Sequence, residues 1–415
     1  MVSPSADTRL ERMDYQHLEV LTEEELRAEP AMKWQAYGPT VLPLWVADTD
    51  FKVAAPITEA LSAHFNSGRY PYPSLELVRQ VRDLVAERIT TGIGGFGHWE
   101  VSGSQVQLFA NVSQQLQFFT EALTDPGAGV AVITPVYPRL LSAVTSQGRE
   151  LHAVPLLRTG QGWALDRDLL AQTLALPSVQ LLSLCSPNNP TGHVFTSEEL
   201  EFMADHALRH GVRVLSDDVH SPLTQAPTQY RAIAEVGPEI AAQTVTLSGV
   251  GKTYNLAGLG AAWAVYGSAE VRGACRHLKN DIHAVPAVSG LIGTAAALQH
   301  GEPWREELLH YLRGNRDHLE SRLAAEATRV QLRPVQATYL AWLDLSEVPA
   351  VAEAAQQVGF DAAQALRQDT NLVLSTGQDF HHPRSAGAKW VRLNFGTSRE
   401  ILDQAIDRLV GWVNN

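Results

Sequence analysis

Between roughly residues 100 and 270, short apolar β-branched runs alternate with helical patterns, and this constrains the fold more than any other feature of the sequence. The runs "GVAVIT" (129–134), "VQLLSL" (179–184), "VRVLS" (212–216), "TVTLS" (244–248) and "AAWAVY" (261–266) read as strands. Strands alternating with helices imply a parallel sheet covered by helices on both faces. One crossover is legible in full. In "TSEELEFMADHALRHG" (196–211), Thr196 and Glu199 form a capping box, apolar residues recur at 200, 203, 204, 207 and 208, and Gly211 supplies the stop. Four of the five strands run directly into unusual polar or Gly/Pro-rich sequence: "PVYP", "CSPNNPTG", "DDVHSP" and "GVGKTYN". In open α/β sheets a ligand sits beyond the carboxyl ends of the strands, so these four tails are expected to converge.

After about residue 300 the pattern changes to long amphipathic helices, with strands expected at "YLAWLDL" (339–345) and "VRLNF" (391–395) and a closing helix "SREILDQAIDRLVGWV". This region reads as a smaller α+β domain joined by the amino-terminal fifty residues. The apolar segment "AVPAVSGLIGTAAAL" (284–298) is too short to cross a bilayer and is assigned to core or to a subunit interface. "GIGGFG" (92–97) follows the amphipathic helix "LELVRQVRDLVAERI" rather than a strand, so it reads as a loop and not as a dinucleotide site.

At 415 residues, one large and one smaller domain are expected. The net charge of -13 argues against nucleic acid as a partner, and the acidic amino terminus carries no helix-turn-helix or basic patch that would suggest a regulatory module. Cys185 and Cys275 match neither a disulfide framework nor a zinc spacing, which suits a reducing cytosol. The start of the chain lacks the apolar stretch of a signal peptide, and no run is long enough to span a membrane. A cytoplasmic protein is expected.

The charged knot "SDDVH" (216–220) follows an apolar strand, and an Asp there must lose water, so it needs a positive partner to stay ionised. Asp217, Asp218 and His220 could also be metal ligands, but no further cluster supplies a closed coordination set, and no metal is expected. Lys252 lies in "SGVGKTYNLAGLG", where flanking glycines allow close approach and burial would lower the pKa of the amine, as a nucleophilic lysine requires.

"SPNNPTG" at 186–192, Asp217 28 residues past Asn189, Lys252 another 35 on, and Arg392 in "VRLNFGTSR" occur together in an order that resembles the class I/II, fold-type I pyridoxal-phosphate enzymes. Within that family, "LPLWVADTDF" (42–51), "YPYPS" (70–74), "DPGAGVAVITPVYP" (125–138) and "SDDVH" are similar to the carbon-sulfur β-lyases, including cystathionine β-lyases. The resemblance implies an α/β fold: a large domain over 52–295 with a mostly parallel seven-stranded sheet, and a smaller α+β domain made of 1–51 with 296–415. It implies pyridoxal 5'-phosphate as cofactor, attached through Lys252, which then serves as general base. Asp217 would hold the proton on the ring nitrogen, Asn189 and His220 would face the phenolic oxygen, and Tyr137 would stack on the ring. Val112 and Ser113 at a helix start would bind the phosphate, with Ser248 or Thr246 supplying a hydroxyl.

That cup departs from the family pattern. Asn111, Gln114 and Gln115 stand where small residues are usual, Gly249, Val250 and Gly251 precede the lysine, and no Arg lies eight residues after it. Tyr72 resembles the tyrosine that reaches the phosphate from a neighbouring subunit, implying a homodimer with shared active sites. Arg392 would grip the α-carboxylate of an amino-acid substrate, with Trp45 and Ala47 lining that side, while Asp48 and Asp50 read as structural. The expected reaction is cleavage of S-substituted cysteines to a thiol, pyruvate and ammonia. Transamination uses the same residues and is the alternative.

Overall fold

The computed structural model describes residues 15–160, 162–277, 286–355 and 359–414. The amino-terminal residues 1–14, on which the leader reading rested, lie outside the described residues.

Seven strands form the central sheet: β1 (Val106–Phe109), β2 (Gly129–Thr134), β3 (Glu150–Pro155), β4 (Val179–Cys185), β5 (Arg213–Asp217), β6 (Thr244–Ser248) and β7 (Ala262–Tyr266). Their spatial order is β1-β7-β6-β5-β4-β2-β3. Every pairing from β6 to β3 is parallel, whereas β7 runs antiparallel to both β6 and β1. The sheet is therefore mixed, and "AAWAVY" differs from the parallel reading in direction. Both faces are covered. Val130 and Val132 of β2 join one apolar cluster and Ala131 and Ile133 the other, as a two-residue side-chain period demands.

The helix Ser197–His210 begins with the expected reciprocal cap between Thr196 and Glu199 and ends at Gly211 in the left-handed region, φ 67°. Residues 92–97 are a loop, and Gly92 caps the helix Leu75–Thr91 at φ 72°. The apolar segment contributes the helix Val288–His300, whose buried Leu291 and Ala297 belong to the core.

The carboxyl-terminal sheet contains β8 (Gln331–Leu332), β9 (Leu340–Asp344), β10 (Ser375–Thr376) and β11 (Trp390–Asn394) in the order β8-β9-β11-β10. Leu42–Pro43 pairs in parallel with Leu372–Val373, which ties the amino-terminal segment to this part of the chain. On β11, Arg392 and Asn394 are two residues apart and so project to the same side, toward residues 45–48. No helix among the described residues is long and apolar enough to cross a membrane.

Candidate active site

The four polar tails meet in one cavity of about 660 Å³, within the usual range for small-molecule sites. The tail of β2 contributes Tyr137, that of β4 Asn189, that of β5 Asp217 and His220, and that of β6 Lys252. Val112 and Ser113 open the helix Val112–Leu123 on the same wall, while Trp45, Ala47 and Arg392 close the opposite side. Between Asn189 and the next helix, Gly192 turns the chain at φ 70°, where a Cβ would lie 3.0 Å from the Ala337 carbonyl oxygen.

Burial governs the charges here. It pushes the Asp217 carboxyl up to about 7, against lowering contributions from the Val219 N–H and from Lys252. It lowers the Lys252 amine from its ordinary value, opposed chiefly by the negative charge of Asp48. It pushes His220 down to about 3, helped by the positive charges of Lys252 and Arg392, so the imidazole is neutral at physiological pH. Cys185 also lines the cavity, but burial first and Asp217 second raise its thiol well above the ordinary value, which disfavours a nucleophilic thiolate.

Arg392 is pre-positioned by neutral acceptors. Its Nη1 donates to Asn189 Oδ1 at 3.0 Å, and its Nη2 donates to the Trp45 carbonyl at 2.8 Å and to Ser375 Oγ at 3.1 Å. Its buried Nε has no partner among the described residues. The guanidinium also lies 4.8 Å from the Phe380 ring centroid. An uncompensated cation of this kind suits an incoming carboxylate.

Residues 45–47 form a wall of the cavity, and side chains distant in sequence hold the carbonyls of residues 46–49. Lys252 Nζ donates to Ala47 O at 2.6 Å, and the Tyr339 hydroxyl donates to the same oxygen at 3.1 Å. Asn394 Nδ2 donates to both Val46 O and Asp48 O at 2.7 Å, and Asn255 Nδ2 donates to Thr49 O at 3.0 Å. Sequence reasoning missed Tyr339, Asn255 and Asn394. The only local signal was the position of Asn394 two residues after Arg392 on one strand.

The residues fit the pyridoxal phosphate that the sequence resemblance implies. Asp217 is buried and accepts a 3.3 Å bond from the Val219 N–H, so a ring cation would supply the charge partner that burial withholds. His220 Nδ1 is buried and has no partner among the described residues. The Asn111 side chain caps the helix by accepting from Gln114 N, and the N–H groups of Val112 and Ser113, without intrahelical acceptors, can receive a phosphate. Asn111 thus makes a polar N-cap where small residues are usual. Ser113 Oγ and the Tyr137 hydroxyl are 3.4 Å apart, which joins the helix start to the residue expected to stack on the ring.

Two expected residues stand apart. Ser248 lies off the cavity wall, because its buried hydroxyl turns back to the Asp218 carbonyl at 3.4 Å. Tyr72 is 98% exposed and lies away from the cavity of its own chain. No group of three or more His, Cys, Asp or Glu among the described residues is arranged to hold a metal. Asp218 instead accepts from Ser216 and from the Tyr230 hydroxyl.

Known proteins are similar to this chain over most of its length. A protein of Bacillus subtilis named cystathionine beta-lyase PatB is 30% identical over 93% of this chain and 97% of its own length. A beta-cystathionase candidate of Corynebacterium diphtheriae superposes with a TM-score of 0.85 at 27% identity, covering 96% of this chain and 99% of the other. An aspartate aminotransferase of Geobacillus stearothermophilus is 24% identical over 92% of this chain and 93% of its own. Residues 46–409 match the family described as aminotransferase class I and II, and the chain belongs to that family.

Proposed function

We propose that this protein is a pyridoxal-phosphate-dependent carbon-sulfur β-lyase that cleaves S-substituted cysteines, of the cystathionine type, to a thiol, pyruvate and ammonia. The observation that carries the reading is the convergence of Lys252, Asp217 and Arg392 on one cavity, in a chain 30% identical to a named cystathionine beta-lyase. When bound, the cofactor supplies an electron sink that makes the substrate's α-proton acidic.

The chain's own groups do the rest. Arg392 takes the α-carboxylate with two guanidinium arms, and this fixes the orientation of the Cα–H bond. Lys252 would hold the cofactor covalently through Nζ. Its Nζ, with basicity lowered by burial, then removes the proton. Asp217 holds the ring-nitrogen proton through its negative charge. His220 and Asn189 present neutral polar groups, so they add no charge to compete with that pairing.

The supported assembly is a homodimer in which Tyr72 of one copy completes the phosphate site of the other. Tyr70, Tyr72 and Leu75 form an exposed apolar stretch, at 67%, 98% and 89%, of the kind a second subunit would cover. The boundaries 52–295 and 1–51 with 296–415 are the domain division proposed with it. The two free, buried cysteines favour a cytoplasmic location.

The purified protein supplied with pyridoxal phosphate and cystathionine should release pyruvate with no 2-oxo acid added. Strict dependence on an oxo acid would reject the lyase reading in favour of transamination, which uses the same residues.

A further inference from the structure

The segment "WVAD" (45–48) is a partition between two cavities. Trp45, Val46 and Ala47 line the one that holds Lys252, while Asp48, Asp50 and Lys33 line a second cavity of about 1050 Å³ behind it. The peptide that separates them is the one whose carbonyl, Ala47 O, accepts from Lys252 Nζ at 2.6 Å.

The backbone of Asp48 is fixed independently of its carboxylate. Asp48 N donates to Val46 O at 3.0 Å, and its carbonyl accepts from Asn394 at 2.7 Å and from Lys33 at 3.3 Å. Lys33 itself is committed, since it pairs with buried Asp50 at 2.6 Å, and Asp50 also accepts from Trp34 Nε1 at 2.9 Å. Three ionic groups act on Lys252: Asp48 and Asp217 favour its charged form, and Arg392 opposes it. Burial raises the Asp48 carboxyl from its ordinary value, Lys252 and Lys33 oppose that rise and Asp50 adds to it, while burial first and Asp48 second raise the Tyr339 hydroxyl. Once the ring nitrogen claims Asp217, Lys252 is left with one acid of its own against Arg392.

We propose that Asp48 is a positioning residue for Lys252, supplying through the 45–48 partition the negative charge that keeps a proton on Nζ after Asp217 is committed to the cofactor ring. The role rests on the reading of Lys252 as the cofactor-bonding amine. Lys252 must collect the α-proton and hold it beside a fixed guanidinium, and Asp48 offsets that repulsion from outside the reaction chamber. Asp48 therefore acts without touching substrate.

The test reads the amine directly. In full-length protein stripped of cofactor, the pH dependence of reductive methylation at Lys252 is followed by peptide mass spectrometry. Asp48→Asn should lower the pKa of Lys252 by about one unit and speed its labelling about tenfold below that pKa. Asp48→Glu should restore the wild-type profile, which a merely structural role would not do. If the Asn variant fails to fold, Asp48→Ser is measured in its place. In a folded neutral variant, a Lys252 titration coincident with wild type would overturn the proposal. Failure of the underlying cofactor reading would appear separately, as wild-type protein that binds no pyridoxal phosphate.

Discussion

In the cofactor-free protein, Asp217→Asn should flatten a pH-dependent loss of stability. The unfolded carboxyl titrates near its ordinary value of 3.8, whereas in the folded chain burial raises it to about 7. The folded state thus binds this proton more tightly than the unfolded state. The stability linked to the protonated acid is fully present below about 3.8 and is lost as the pH rises through about 7. A difference of about three units corresponds to about 4 kcal/mol over the whole window, of which about 2 kcal/mol falls between about pH 5 and pH 7. Asn cannot titrate, so the variant should lose that part of the slope. It should keep the part contributed by Asp218, which burial also raises to about 7. Thermal melting of both stripped proteins from about pH 5 to pH 8, followed by circular dichroism, reads the difference. Adding pyridoxal phosphate should stabilise wild type most at the upper end, because a ring cation gives the ionised Asp217 its partner. Parallel melting curves for wild type and variant would show that Asp217 does not carry this linkage, and the inference of an acid waiting for a cation would fail with it.

Two further outcomes follow from the geometry. Arg392→Lys keeps the charge but cannot reach Asn189 and the Trp45 carbonyl together while receiving a carboxylate, so steady-state kinetics should show kcat/KM falling about 10- to 100-fold, mainly through KM. Lys252→Ala and Tyr72→Ala should each be inactive as pure proteins, yet regain pyruvate release when unfolded and refolded together. Hybrid dimers would contain one site with both native residues, and a mixture that stays inactive would count against shared sites.

The parts of the fold legible in the sequence are those whose burial is symmetric. β2, β4, β5, β6 and β7 are almost wholly buried, and each is marked in the sequence by a short run of apolar and β-branched residues. The two strands absent from the sequence reading, β1 and β3, are the edges of the sheet. In β3, Glu150 and Pro155 are exposed and only Val154 is buried, so solvent on one side erased the apolar signal. The direction of β7 was illegible for another reason. Parallel and antiparallel strands buried on both faces present the same residues, and the distinction lies in where the chain re-enters the sheet.

The site divides along the same line. Lys252, Asp217 and Asn189 were legible because each sits in a tail whose composition is out of place after a strand. The clamp on residues 45–49 was not, because its donors, Asn255, Tyr339 and Asn394, lie about 200 to 350 residues from the carbonyls they hold. A backbone carbonyl also has no residue identity to read. Asp48 illustrates the point: beside Trp45 and Ala47, which are assigned to the substrate side, it reads as structural, and no motif marks the charge effect proposed for it. Only the fold reveals that one peptide separates it from the Lys252 amine proposed to hold the cofactor. Residues that act through charge rather than contact leave no spacing to recognise, so the parts of such a site most open to tuning are those a sequence motif describes least.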